Sequence, residues 1–156
     1  MKTRSKFETA VMQSNPRILA TMYEARRLPV LLPTTYLPDV ITPGGLIVEL
    51  KGRHPQLMTA LEKPKLVAKE LNRYHTLTQK AKSKDSSHHP WSKHYVGIAL
   101  LTMGDFKIPR AKKKTISDWC RLNGILWAEG PVMPDSWWSI DSYEKYATLL
   151  KEQETK

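Results

Sequence analysis

The chain has 156 residues, about the length of one ordinary domain, so we expect a single domain over residues 1–156. It carries 25 Lys and Arg against 15 Asp and Glu, and this formal net charge of +10 favours a polyanionic partner such as nucleic acid. A single cysteine excludes an intrachain disulfide, and neither an 18-residue apolar run nor a signal-peptide core is present, so we expect a cytoplasmic protein with no membrane partner.

The first third of the chain predicts a helix, an extended segment and a hairpin. Ser5-Lys6-Phe7-Glu8 has the pattern of a capping box, and the helix that follows is expected to end at Asn15-Pro16. Residues 18–36 mix β-branched and apolar residues with prolines, which favours an extended segment or edge strand. The turn sequence "TPGG" at 42–45 precedes a strand-like run, Leu46 to Lys51, so the two sides of the turn are expected to pair.

The middle of the chain predicts a helix, a loop and a strand. Apolar residues at helical spacing indicate a helix from Pro64 to about residue 82. Polar and helix-breaking residues indicate a mobile loop insertion, which we place at 76–93. The apolar run at 94–103 predicts a buried strand.

The last third predicts two helices around an edge strand. The basic sequence "KIPRAKKK" is expected to lead into a helix that opens at residues 115–118 and closes at Gly124. "ILWAEG" predicts an edge strand and "PVMPDSWW" an irregular segment. Residues 139–156 predict a helix from about Asp141 through Leu150 with a frayed, charged tail.

Charged residues on the predicted hairpin indicate a candidate site. Side chains alternate faces along a strand, so Glu49 and Lys51 share one face with Ile47, while the opposite face is apolar and must pack against the core. Asp39 lies on the neighbouring strand across the turn. We therefore expect two carboxylates and one amine to converge there.

Such a trio suits metal-assisted phosphodiester hydrolysis. Carboxylate oxygens are hard ligands for Mg²⁺ or Mn²⁺, and an amine can steer the attacking water and offset phosphate charge. A second metal ion would require a further carboxylate. The alternative is a solvated polar strand face with an ion pair of little energetic value, beside a Pro-Asp turn.

These residues resemble a known signature. Pro38-Asp39, nine residues and then Glu49-Leu50-Lys51 resemble the PD…(D/E)xK pattern of restriction-endonuclease-like nucleases. The segments "RSKFETAV" at 4–11, "YLPDVITPGGLIVELKG" at 36–52 and "TISDWCRLNGILWAEGPVMPDSWW" at 115–138 resemble, in the same order, blocks of the phage endonuclease I family of Holliday-junction resolvases. The resemblance spans residues 4–138 and does not account for the C-terminal helix and tail.

The resemblance implies a fold, a reaction and a site. The implied fold is α/β (α+β), a restriction-endonuclease-like mixed sheet flanked by helices, in a domain-swapped homodimer. The implied activity is Mg²⁺-dependent resolution of four-way and other branched double-stranded DNA in the bacterial host of a phage, with Mn²⁺ able to substitute. Asp39 and Glu49 match the metal-binding pair, Glu8 the helix-borne carboxylate that would be a third ligand, and Lys51 the catalytic lysine.

DNA binding is expected to depend mainly on contacts between basic side chains and phosphates. The candidates are Arg4, Arg53, Lys63, Lys65, Lys69, Arg73, Lys107, Arg110, Lys112, Lys113 and Lys114. Each of them could equally be a solvated surface charge. Two other functions stay open: another nuclease of the same fold, restriction-like or cutting transposon ends, and a non-catalytic DNA-binding regulator that uses "TISDWCRLNGI" as a recognition helix.

Overall fold

The fold is mixed α/β, with one sheet between two layers of helices. The computed structural model describes residues 6–15, 39–51, 62–80, 95–103 and 110–154. Within these ranges the elements, in chain order, are α1 (Lys6–Ser14), β1 (Val40–Ile41), β2 (Leu46–Lys51), α2 (Glu62–Lys80), β3 (Gly97–Met103), α3 (Arg110–Leu122), β4 (Leu126–Gly130), α4 (Asp135–Trp138) and α5 (Tyr143–Glu154).

The predicted hairpin is confirmed. β1 pairs with β2 in antiparallel register, with Val40 opposite Val48 and Ile41 opposite Ile47. The Gly45 N–H donates to the Thr42 carbonyl at 3.0 Å, and Gly45 has a φ of 99°, a conformation that glycine adopts at little cost. The Thr42 hydroxyl also accepts the Leu46 N–H at 3.0 Å, which fixes the start of β2.

The sheet order among the described strands is β1-β2-β3-β4. β2 is parallel to β3, and β3 is parallel to β4. Parallel neighbours need crossover connections, and α2 and α3 lie in the two crossovers. The carboxyl ends of β2, β3 and β4 therefore lie at one edge of the sheet, together with the start of the antiparallel β1.

Helices bury both faces of the sheet. The residues of one face pack against α2 and α3 in a first core of Ile41, Ile47, Val67, Ala68, Leu71, Tyr95, Ile98, Leu100, Ile116, Cys120 and Ile125. The residues of the other face pack against α1, α4, α5 and the segments beside them in a second core of Val11, Val40, Leu46, Val48, Leu50, Ala99, Leu101, Leu126, Met133, Trp137, Ile140 and Tyr146. Because β2 is covered on both sides, the face that carries Glu49 and Lys51 is not the solvated surface of a sheet.

Several other predicted elements are confirmed. The first helix ends at Ser14, and Pro64 lies in the first turn of α2. The buried strand at 94–103 is β3, and the edge strand "ILWAEG" is β4. Gly124, with a φ of 67°, follows α3 as expected for the residue after a helix end.

Four boundaries were wrong. The helix α2 continues through residues 76–80, where the loop was predicted to begin. α3 begins at Arg110, earlier than expected, because the basic run consists of good helix formers and leads into the buried Ile116 and Cys120. The segment predicted to be irregular contains α4, which buries Trp137. The tail predicted to fray is helical to Glu154.

Some expectations concern residues outside the described ranges. These are the extended segment at 18–36, the loop after residue 80, and the basic residues Arg4, Arg53 and Lys107. Among the described helices, none combines the length and the apolar character needed to cross a bilayer.

Candidate active site

The carboxyl edge of the parallel strands carries a row of polar side chains. Lys51 of β2 is in register with Thr102 of β3, and Thr102 is in register with Glu129 of β4. Residues in register on neighbouring strands share a face, which here is the face of the first core. In open α/β sheets ligands commonly bind at this edge, so the row lies where a site is expected.

Glu49 and Lys51 form an ion pair in this region. The distance from Lys51 Nζ to Glu49 Oε1 is 3.1 Å, and the two side chains are only 24% and 10% exposed. The neighbouring Ile47 on the same face is fully buried under the helices. Partial removal from water strengthens the attraction between the charges compared with an exposed pair, while Lys51 keeps contact with solvent.

Asp39 lies beside this pair at the start of the hairpin. The Leu50 N–H donates to Asp39 Oδ2 at 2.9 Å, so the carboxylate is attached to the strand that bears Glu49 and Lys51. If the register of β1 and β2 is continued by one residue, Asp39 stands opposite Glu49, and opposite residues of an antiparallel pair lie on the same face. The three predicted residues thus belong to one edge of the sheet.

The carboxylates fit a divalent cation as a donor set. A carboxylate that accepts one backbone N–H retains further lone pairs, so the bond to Leu50 leaves Asp39 able to ligate. Among the residues that the structure describes, no group of three or more acidic, histidine or cysteine side chains is arranged to hold a metal ion. Glu8, the expected third ligand, lies in α1, but its side chain is not among those described.

Three neighbours of the site were missed by the sequence reasoning. Thr102, Trp127 and Glu129 lie on the site's face of β3 and β4, and the Trp127 indole N–H donates to Thr102 Oγ1 at 3.1 Å. The sequence predicted the two strands that carry them, but no local pattern gives the register between strands separated by helices. Knowledge of the sheet order was needed to find them.

The predicted DNA-contact residues fall into three groups. Lys63, Lys69 and Lys114 are exposed. Lys65 and Arg73 are also on the surface and approach Glu62 and Glu70 at 3.9 and 3.8 Å, long distances for ion pairs. The third group, Arg110, Lys112 and Lys113, lies at the start of α3, and the first turn of this helix holds no acidic residue. The side chains of these three residues are not described.

Cysteine and tryptophan have structural roles in the described part of the fold. Burial raises the pKa of the Cys120 thiol to about 12, which keeps it protonated and unsuited to act as a nucleophile. Trp137 is buried in the second core, and Trp138 packs against that core. Trp119 and Trp127 are partly buried and pack against the first core.

Comparison of the chain with family models, with curated proteins and with solved structures finds no match.

Proposed function

We propose that the protein is a divalent-metal-dependent endonuclease that cleaves branched DNA, with Asp39, Glu49 and Lys51 as the core of its active site. The observation that carries the proposal is the shielded Glu49–Lys51 pair at 3.1 Å, next to an aspartate bonded to the same strand. A solvated polar strand face would leave both side chains largely exposed, whereas the Lys51 and Glu49 side chains are only 24% and 10% exposed.

Each residue of the site has its own role in hydrolysis. Asp39 and Glu49 are the ligands for Mg²⁺ or Mn²⁺, and Glu8 is the expected third. A cation held there supplies a Lewis acid that polarises the phosphodiester and makes water a better nucleophile. Water oxygen forms a bond to phosphorus and gives up a proton to solvent, while the bond from phosphorus to one ester oxygen breaks and that oxygen takes a proton from solvent. The Lys51 ammonium offsets the charge that develops on the phosphate.

Charge and topology support a nucleic-acid substrate. The formal net charge is +10, and α2 and α3 both begin after strands that end at the site's edge. Helix N-termini carry partial positive charge. The first turn of α2 holds Lys63 and Lys65 beside Glu62, and the first turn of α3 is basic with no acidic residue. Phosphates on either side of the cleaved bond would thus meet a positive surface.

Branched DNA is the substrate class suggested by the resemblance to junction resolvases. A four-way junction needs two symmetric cuts, which a homodimer with two equal sites supplies. The dimer, and any exchange of α1 between subunits, belong to this proposal.

The proposal is tested by incubating a labelled four-way junction, and a linear duplex of the same arm sequence, with the protein and Mg²⁺. We expect preferential cutting of the junction, and a loss of about 10²-fold or more in Asp39→Asn and Lys51→Ala. Asp39→Asn removes a charged ligand of the cation, and Lys51→Ala removes the ammonium that offsets charge on the reacting phosphate. Lys145→Ala is the matched control, since Lys145, on α5, forms an exposed ion pair with Asp141 at 2.9 Å.

Each other outcome contradicts a particular part of the proposal. Equal cutting of both substrates would favour another nuclease of the same fold. Binding of the junction without cutting, in either Mg²⁺ or Mn²⁺, would favour the regulator. Wild-type rates in Lys51→Ala would remove the site assignment.

A further inference from the structure

Thr102 is a buried polar residue in the site row that the proposed reaction does not yet use. It is 1% exposed and lies in register with Lys51. Buried hydroxyl groups are normally hydrogen-bonded, and a strand interior offers an apolar β-branched residue of the same shape in valine. The presence of a hydroxyl here therefore calls for an explanation beyond packing.

The Trp127 indole accounts for part of that hydroxyl's bonding. Its N–H donates to Thr102 Oγ1 at 3.1 Å across β3 and β4. An indole N–H can only donate, so the Thr102 oxygen acts as acceptor and keeps its own proton and a second lone pair. The bond fixes the rotamer of Thr102 and thereby the directions of its hydroxyl proton and second lone pair.

The position of Trp127 is in turn fixed by α5. The Trp127 backbone N–H donates to Gln153 Oε1 at 2.8 Å, and Gln153 Nε2 donates to the Ile125 carbonyl at 2.9 Å. The side-chain amide thus pairs with the edge of β4 in the way a neighbouring strand would. These bonds connect the C-terminal helix, which the family resemblance leaves unexplained, to the site row.

We propose that Thr102 is a positioning residue for Lys51, held in place by Trp127 and, through β4, by Gln153. Neighbouring strands are about 4.8 Å apart, so the rotamer in which the Trp127 hydrogen bond holds Thr102 determines which of its side-chain atoms face the flexible stem of Lys51. Valine keeps the shape of threonine but loses this bond, whereas serine can keep it. The ammonium is thereby kept next to Glu49, at 3.1 Å from Oε1. The effect on catalysis rests on the proposed function, whereas the effect of Thr102 on the position of Lys51 does not.

The effect of Thr102 on the position of Lys51 is tested without any substrate. In protein with ¹³C-labelled lysine, the Lys51 Cε signal is assigned by its loss in Lys51→Arg and then followed in Thr102→Val, Thr102→Ser and Trp127→Phe. We expect Thr102→Val and Trp127→Phe to move the signal towards those of exposed lysines, and Thr102→Ser to leave it near the wild-type position. An unchanged Lys51 signal in folded Thr102→Val overturns the proposal.

The catalytic consequence is tested by junction cleavage. Thr102→Val should lower kcat on the order of tenfold with little change in KM, since misplaced groups slow the chemical step more than binding. Thr102→Ser should restore kcat, and Thr102→Val should have no further effect in a Lys51→Ala background. If Thr102→Val lowers kcat by the same factor in the Lys51→Ala protein as in the wild type, Thr102 does not act through Lys51.

The two tests separate the two proposals. If the Lys51 signal responds as expected but the wild-type protein cuts no DNA, the positioning role stands and the proposed nuclease function fails. If the protein is a nuclease and the signal does not respond, the positioning role fails alone.

Discussion

At the residue scale, the site depends on where each charge is held. An exposed Lys–Glu pair contributes little to stability, but the pair of Glu49 and Lys51 is shielded and lies beside Asp39, which the Leu50 N–H fixes. His75 is a titratable residue away from the site. His75 stacks on Tyr143, with ring centroids 4.0 Å apart and planes at 16°.

His75 makes stability depend on pH. Burial lowers the pKa of His75 from 6.5, partly opposed by the negative charge of Glu144. His75 in the unfolded chain therefore binds a proton more readily than in the folded protein. Its contribution to the free energy of unfolding is fully present above pH 6.5 and is lost as the pH falls through the lowered pKa. His75→Phe, which keeps a ring on Tyr143 but cannot be protonated, should lose less stability between pH 8 and 5.5 in urea unfolding. Equal losses in both proteins would contradict this explanation.

At the element scale, the start of β3 is fixed by close contact with α5. A Cβ at Gly97 would overlap the Tyr146 ring, and Tyr146 cannot easily move because its hydroxyl donates to the Ile98 carbonyl at 3.0 Å. Gly97→Ala should therefore lower the free energy of unfolding by about 1–3 kcal/mol.

Gly130→Ala is the control for this change. The atoms nearest to a Cβ there would belong to the Leu101 side chain, at 3.0 Å, and a leucine side chain can adjust. Denaturant unfolding should show a clearly smaller loss for Gly130→Ala. A loss as large as that of Gly97→Ala would mean that the Tyr146 contact does not limit β3.

The elements also show why sequence reasoning succeeded or failed. The hairpin could be predicted because a Gly-rich turn and a period of two agree locally. The start of α3 could not, because four basic residues from Arg110 to Lys114 resemble a linker, and it is the packing of Ile116 and Cys120 against the sheet that decides. Trp137 likewise gives α4 its structure through burial in the second core, a contact that no local pattern reveals.

At the scale of the whole molecule, the sheet order brings the site together. The sequence predicted Asp39, Glu49 and Lys51 as neighbours because they belong to one hairpin. It could not predict that Thr102 and Glu129 extend the row, since this depends on two parallel crossovers through α2 and α3. The formal net charge of +10 is that of the whole chain and favours a polyanionic partner.

The central claim is that Asp39 and Glu49 together hold a divalent cation beside Lys51. Titration with Mn²⁺, followed by the loss of the free-ion electron paramagnetic resonance signal, tests it without a DNA substrate. We expect Asp39→Asn and Glu49→Gln each to weaken Mn²⁺ binding at least about tenfold, because each removes a charged oxygen ligand. Asp118→Asn, which alters an exposed acid paired with Arg121 at 3.1 Å, should bind as the wild type does. Equal Mn²⁺ affinity in wild type, Asp39→Asn and Glu49→Gln would contradict the account.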